Sequence, residues 1–336
     1  MAEHRSAVDR AAEILEEAGT AHVVGSGGSL PAAIFISDLL NSRGRMAVAL
    51  TPGEYLAGAA RSDTVIAVSY SGASPDIRHV IRAAKQRGGE RIVLLTSADK
   101  APVSDELRPL SEDFVLSYGP ANRVKGGRIG GRERGFVSIA GTVAPCIPWL
   151  VAASGVSAAV DLAARVREGE MHAVQVAKSL AAPAALSGRL NVVYGPGALA
   201  SARDVESKFT ESGLPAVTLH EQKDLSHGRF VTVFQPPAYK SVESCPTEAP
   251  LSPVLLLAVG PPSEYQSALL GAIQTEGVLA AEIRSGAADL VAPLELLTLV
   301  QFFSQAFGDA LDVDISRPRR IPEAGLRLYR WRELDR

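Results

Sequence analysis

The sequence predicts an α/β chain of two tandem, doubly wound domains, each built on a parallel sheet. Three observations lead there. Short apolar runs rich in β-branched residues alternate with amphipathic helical stretches. Several of those runs end in small-residue turns that feed straight into a helix, as crossovers between parallel strands require. The plan also recurs, because VVGSGGSLPAA from Val23 is echoed by VVYGPGALASA from Val192, a weak sign of internal duplication.

With 336 residues, 46% of them hydrophobic, the chain can build two ordinary cores. A net charge of −3 supplies no general basic field, so neither nucleic acid nor a membrane surface is expected as a partner. Cys146 and Cys245 are the two cysteines and lie far apart without metal-ligand spacing. A reducing, cytoplasmic setting is therefore expected, with no metal and no cofactor. The opening MAEHRSAVDR is too polar for a signal peptide. The apolar run 136–153 is interrupted by Ser138, Thr142, Pro145 and Pro148, which favours a buried helix over a membrane span.

Taken in order, residues 3 to 18 read as an amphipathic helix, and Ala21 to Gly25 as a strand ending in the glycine turn Ser26 to Ser29. A helix follows through about Leu40, then strands at Met46 to Leu50, Val65 to Ser69, Glu90 to Thr96 and Phe114 to Ser117. Residues 121–134, ANRVKGGRIGGRER, fit either a solvated loop or a basic lid over an anion. Residues 155 to 187 are helical and Ala-rich. This divides the chain into an N-terminal domain over 1–160, a helical connection over 161–187 and a C-terminal domain over 188–336. In the last of these, strands are expected at Leu190 to Tyr194, Ala216 to Leu219, Phe230 to Phe234, Val254 to Val259 and Ala280 to Arg284. Helices are expected near 199–211, 263–276 and 291–309.

The stretch VIAVSYSGASPD, residues 65–76, carries the clearest chemistry. A buried strand ends in Ser69, Tyr70, Ser71, Gly72, Ala73 and Ser74, and a helix starts at about Pro75. Unpaired N–H groups and the positive end of the helix dipole favour an anion there, and serine hydroxyls add donors. No GxxxxGK[ST] is present, so a phosphomonoester suits the loop better than a nucleoside triphosphate. The same residues also fit an ordinary βα turn with a serine N-cap. The first loop, GSGGS, is not GxGxxG, and no acidic residue follows at a second strand end, which argues against a dinucleotide. In the second half, Glu211 at a helix end (KFTESG) and His227 in a polar turn (KDLSHGRF) are a carboxylate and an imidazole suited to proton transfer and ring opening at a sugar.

Residues 23–33, 65–76, 133–142 and 191–230 together resemble the SIS (sugar isomerase) family, nearest to the isomerase half of glucosamine-6-phosphate synthase and to archaeal phosphoglucose/phosphomannose isomerases. The resemblance implies two flavodoxin-like SIS domains. It places Ser69, Tyr70, Ser71 and Ser74 on the phosphate of a sugar, with Ser29 from GSGGS and Ser138 from ERGFVSIAG as further contacts. Glu211 and His227 stand sixteen positions apart, as the family's isomerase base and ring-opening histidine do. Lys208 matches a basic family position beside that base. The family histidine commonly reaches in from a partner subunit, which implies a homodimer with shared sites.

There are departures. Glu323 in RPRRIPEAGLRLY stands where synthase and isomerase members carry a C-terminal lysine, Tyr70 replaces a common Gln, and Ala73 a common Glu. No glutaminase domain precedes the chain, so amino transfer from glutamine is not expected. The function implied is an aldose–ketose isomerase or related deglycase, acting on a phosphorylated sugar or amino sugar through an enediol(amine). The alternative is a non-catalytic sugar-phosphate sensor.

Overall fold

A computed structural model describes residues 2–17, 19–58, 60–72, 74–97, 115–117, 140–234 and 250–315. The chain divides into two compact units whose boundary falls between Val160 and Asp161.

The first unit begins with helix α1 (Ala2–Glu16) and strand β1 (Thr20–Gly25), followed by α2 (Leu30–Ser42), β2 (Met46–Leu50), α3 (Pro52–Leu56) and β3 (Thr64–Val68). It continues through α4 (Pro75–Arg87), β4 (Arg91–Thr96), β5 (Val115–Ser117), α5 (Ala140–Val143) and α6 (Ile147–Ser154). Its five strands form one wholly parallel sheet in the order β2-β1-β3-β4-β5. Central β3, TVIAV, is buried at every position, which is why it reads as an unbroken apolar run. Helix α4 lays Ile77, Val80, Ile81 and Ala84 on that sheet, the spacing of one helical face. Helix α3 is absent from the sequence-based expectation, although Thr51 and Glu54 form a capping box at its start. It buries Tyr55, whose hydroxyl donates to Glu90 at 3.0 Å.

Helix α7 (Val156–Ser187) crosses the boundary, and the second unit continues with β6 (Arg189–Tyr194), α8 (Leu199–Ser212) and β7 (Ala216–Glu221). Then come the short helices α9 (Gln222–Asp224) and α10 (Val231–Phe234), β8 (Val254–Val259), α11 (Glu264–Thr275), β9 (Ala280–Ser285) and α12 (Ala292–Ala310). Four strands form a second parallel sheet, β7-β6-β8-β9. On one face α8 packs against α12 through Phe209, Phe303 and Phe307, whose ring centroids lie 4.7–6.0 Å apart. Arg165 of α7 grips Asp289 through both terminal nitrogens at 3.1 and 2.7 Å, and Asp289 also accepts from the Val291 and Ala292 N–H groups ahead of α12. That pairing holds the Asp289 carboxyl below its usual range.

The expected strand Phe230 to Phe234 is instead helical. The Phe230 carbonyl accepts from the N–H groups of Val233 and Phe234, both at 3.0 Å. A short apolar run fits a strand or a buried helical turn equally, and here Leu225 and Val233 reach the core from a helical turn. Among the described residues no helix is long and apolar enough to cross a membrane, and no cluster of three metal-ligating side chains occurs.

One polar pair lies inside the second sheet. His220 Nε2 on β7 stands 3.3 Å from Asn191 Oδ1 on β6, and both residues are buried. Desolvation, with the nearby Arg229 and Arg189, pushes the imidazole below its ordinary value of 6.5. The unfolded chain therefore takes up a proton first as pH falls below 6.5, and stability is lost toward acid until the folded imidazole also titrates. The urea midpoint should drop between pH 7 and pH 5, and His220→Gln should flatten that drop; identical pH dependence in the two proteins would contradict this account.

Candidate functional site

The strand order of the first unit reverses direction between β1 and β3, and the crevice beyond the carboxyl ends of such a pair is where doubly wound sheets bind ligands. Both serine loops sit there. After β1 the chain doubles back so tightly that a Cβ on Gly25 would lie 2.4 Å from the Ser29 carbonyl oxygen. The Ser29 N–H donates to the Ser26 carbonyl at 3.0 Å, which closes the turn. Ser29 stands at the N-cap of α2, and its hydroxyl does not cap the helix. Buried Thr142, within α5, approaches the same turn at Gly28.

The second loop is pinned from β4. Ser69 is buried, and its N–H donates to the Leu95 carbonyl at 2.9 Å, extending the ladder by one bond. The Tyr70 carbonyl accepts three hydrogen bonds: from Thr96 Oγ1 at 3.1 Å, from Ser97 Oγ at 2.7 Å and from the Ser97 N–H at 3.1 Å. Gly72 N–H closes the turn onto the Ser69 carbonyl at 3.2 Å. Ser71 is exposed at the tip. Ser74 is half-buried at the N-cap of α4, and its hydroxyl makes no cap bond. Asp76 adds one negative charge in the first turn of that helix. Two helix starts and the hydroxyls of Ser29, Ser71 and Ser74 thus border one crevice, an arrangement able to receive an oxyanion. Thr96, Ser97 and Thr142 were missed by sequence reasoning; the only signal was the small hydroxyl pair closing the run LLTS.

The matching place in the second unit is built differently. A Cβ on Gly195, just past β6, would stand 3.0 Å from both Gln222 Oε1 and Gln266 Nε2. Those side chains are buried and bonded to each other at 3.1 Å, and Arg284 donates to Gln266 Oε1 at 2.9 Å and to the Gly260 carbonyl at 2.7 Å. Here glutamine side chains, not serine loops, stand beside the first turn of the sheet.

Glu211 is half-buried in the last turn of α8 and accepts from Ser207 Oγ at 2.9 Å. Lys208, one turn earlier, is buried, with Nζ 2.7 Å from Asp204 Oδ1. Asp204 Oδ2 accepts from Gln301 of α12 at 2.6 Å. Lys208 therefore sits in the α8–α12 seam. His227 is exposed in a wide turn over Leu225–Arg229, with Gly228 after it at φ 111°. Helix α8 returns from the carboxyl end of the sheet to its amino end, so Glu211 lies near the amino ends of the strands. His227 lies beyond the carboxyl end of β7. Fourteen residues of α8 separate those two levels by about 20 Å. The unit does not bring this carboxylate and imidazole together. Ser138, Ala73, the loop 121–134 and Glu323 lie outside the described residues.

The close return at Gly25 is directly testable. Gly25→Ala must displace the Ser29 carbonyl, and such overpacking costs about 1–3 kcal/mol. Urea denaturation should show a loss in that range, and an unchanged midpoint would contradict the geometry.

No curated protein sequence matches the chain. Among solved structures, a candidate phosphosugar isomerase from Silicibacter pomeroyi DSS-3 is similar at 18% identity and TM-score 0.63, over 93% of this chain and 93% of that one. The C-terminal domain of glucosamine-fructose-6-phosphate aminotransferase from Francisella tularensis is similar at 14% identity and TM-score 0.62, over 94% and 95%. Glucosamine-6-phosphate deaminase from Thermotoga maritima is similar at 13% identity and TM-score 0.63, over 96% and 98%. At these identities the likeness is one of fold. Residues 14–108, which hold β1 to β4 and both serine loops, match the family model of the SIS domain, and that segment of the chain is a SIS domain.

Proposed function

We propose that the chain binds a phosphorylated sugar or amino sugar and interconverts its aldose and ketose forms, or releases its amine in a related deglycase reaction. The observation that carries this reading is the meeting of two serine loops and two helix starts at the switch point of the first sheet. Ser29, Ser69, Tyr70, Ser71, Ser74 and Ser138 are assigned to the sugar phosphate. Glu211 takes the proton from C2 of the open-chain aldose and returns it to C1 through an enediol, while a hydroxyl proton moves from O2 to O1. His227 handles the ring oxygen. Lys208 and Asp204 hold the helix that carries the base. Phosphate binding far from the reacting carbons positions them, so binding energy is spent on orientation. Support also comes from similar folds in a phosphate-sugar deaminase and an aminotransferase domain.

The opposite placement of Glu211 and His227 favours a site completed by a second copy of the chain, and so a homodimer. Phe230 and Val231, two apolar side chains exposed beside His227, suit such an interface. The buried Cys146 thiol, 3.6 Å from the Thr142 carbonyl, fits a reducing cytoplasm.

The test is solvent-deuterium incorporation at C2 of hexose and hexosamine phosphates. Glu211→Gln keeps shape and loses the proton acceptor, so exchange should fall by roughly 10²–10⁴-fold with affinity kept. Mixing Glu211→Gln with His227→Ala should restore part of the activity in heterodimers. Exchange as fast in Glu211→Gln as in the unaltered protein would overturn the isomerase mechanism and leave a sugar-phosphate sensor.

A further inference from the structure

The turn that carries His227 is gripped by two consecutive residues of α11. The Tyr265 hydroxyl donates to the Gln222 main-chain carbonyl at 2.8 Å and accepts from Ser226 Oγ, next to His227; the one Ser226 hydroxyl proton is shared between Tyr265 and the Lys223 carbonyl at 3.0 Å. The following residue, Gln266, donates from Nε2 to Gln222 Oε1 at 3.1 Å. Gln222 is thus held by main chain and side chain from one helix start. Gln266 is itself fixed, because Ser263 Oγ accepts from its N–H at 3.1 Å in a capping box, and Arg284 holds its side-chain oxygen. At the other end of the turn the Phe230 N–H closes onto the Leu225 carbonyl at 3.0 Å. Both glutamines are buried, whereas Tyr265 is 39% exposed and meets Ser226, the chain neighbour of exposed His227, at the surface.

A flexible turn would spread His227 over many orientations, and proton transfer needs it in one. We propose that Tyr265 is a positioning residue: with Ser226 and Gln222 it fixes the 222–229 turn and so the direction in which His227 is presented. The proposal rests on the isomerase reading for what His227 does there, while the clamp itself rests on hydrogen bonds within the second unit. Tyr265 makes no contact with substrate in this account. Its hydroxyl acts through Ser226 and the Gln222 carbonyl. The ring is not needed for the grip, so removing only the oxygen isolates the effect.

The experiment uses the full chain with Tyr265→Phe, Ser226→Ala and Ser226→Thr. Amide hydrogen exchange over 222–230 should quicken by about tenfold in Tyr265→Phe, as loss of one net hydrogen bond implies. The global urea midpoint should fall by no more than the loss of that one hydrogen bond accounts for. On a sugar phosphate that shows C2 exchange, kcat should fall about tenfold with KM unchanged in Tyr265→Phe and Ser226→Ala. Ser226→Thr keeps the hydroxyl and should restore turnover. Unchanged amide exchange in Tyr265→Phe overturns the clamp, and faster amide exchange with unchanged kcat overturns the positioning role. Amide exchange needs no substrate, so it decides the clamp whatever the unaltered protein turns over. An unaltered protein without C2 exchange on any bound sugar phosphate counts against the isomerase reading alone.

Discussion

Parallel strands cannot be joined by a tight hairpin, so every strand here is followed by a crossover before its neighbour can pair. That requirement places every strand-to-helix turn at one end of its sheet and every helix-to-strand turn at the other. It brings the turns after β1 and β3 to the same end of neighbouring strands, although Ser26 and Ser69 stand 43 positions apart in the chain. It also separates Glu211 from His227, because one closes a helix and the other follows a strand. The same rule that brings the two serine loops to one end of the first sheet thus sets Glu211 and His227 at opposite ends of the second, which is why the proposed chemistry calls for a second copy of the chain.

Within that frame the two units use their switch points differently. In the first, backbone does most of the work: Gly25 permits the return of the chain, and three donors on the Tyr70 carbonyl hold the serine loop against β4. At the rim, the Ser29 and Ser74 hydroxyls stand at helix N-caps without capping them. In the second, Gln222, Gln266 and Arg284 fill the corresponding space with bonded side chains, and that framework supports the neighbouring turn.

Much of the fold was legible because parallel sheets demand it. The run TVIAV is buried along its whole length and VLLLAV at every position but its last, Val259, and both read as strands. The serine loops were legible as strand-to-helix turns, since small hydroxyl residues there suit a helix N-cap as well as an anion. The run at Phe230 was not, since FVTVF satisfies a strand and a helical turn alike and only its packing decides. Lys208 read as a member of the site because it precedes Glu211 by three residues. Its burial depends on Gln301, which binds the same aspartate from 97 positions beyond it. Tyr265 and Gln266 were invisible for the same reason: their partner Gln222 lies more than forty positions earlier, and no local pattern announces the contact.

The central claim is that the serine loops of the first unit bind the phosphate of a sugar. Isothermal titration calorimetry of a hexose 6-phosphate and its unphosphorylated sugar, on the unaltered protein and on Ser71→Ala, tests it most directly. A hydrogen bond to a charged group contributes roughly 1.5–3 kcal/mol, so Ser71→Ala should weaken the phosphorylated sugar by about 10- to 150-fold. The unphosphorylated sugar should bind weakly and alike to both proteins. Equal affinity for the two sugars, or no effect of Ser71→Ala on the phosphorylated one, would contradict the account.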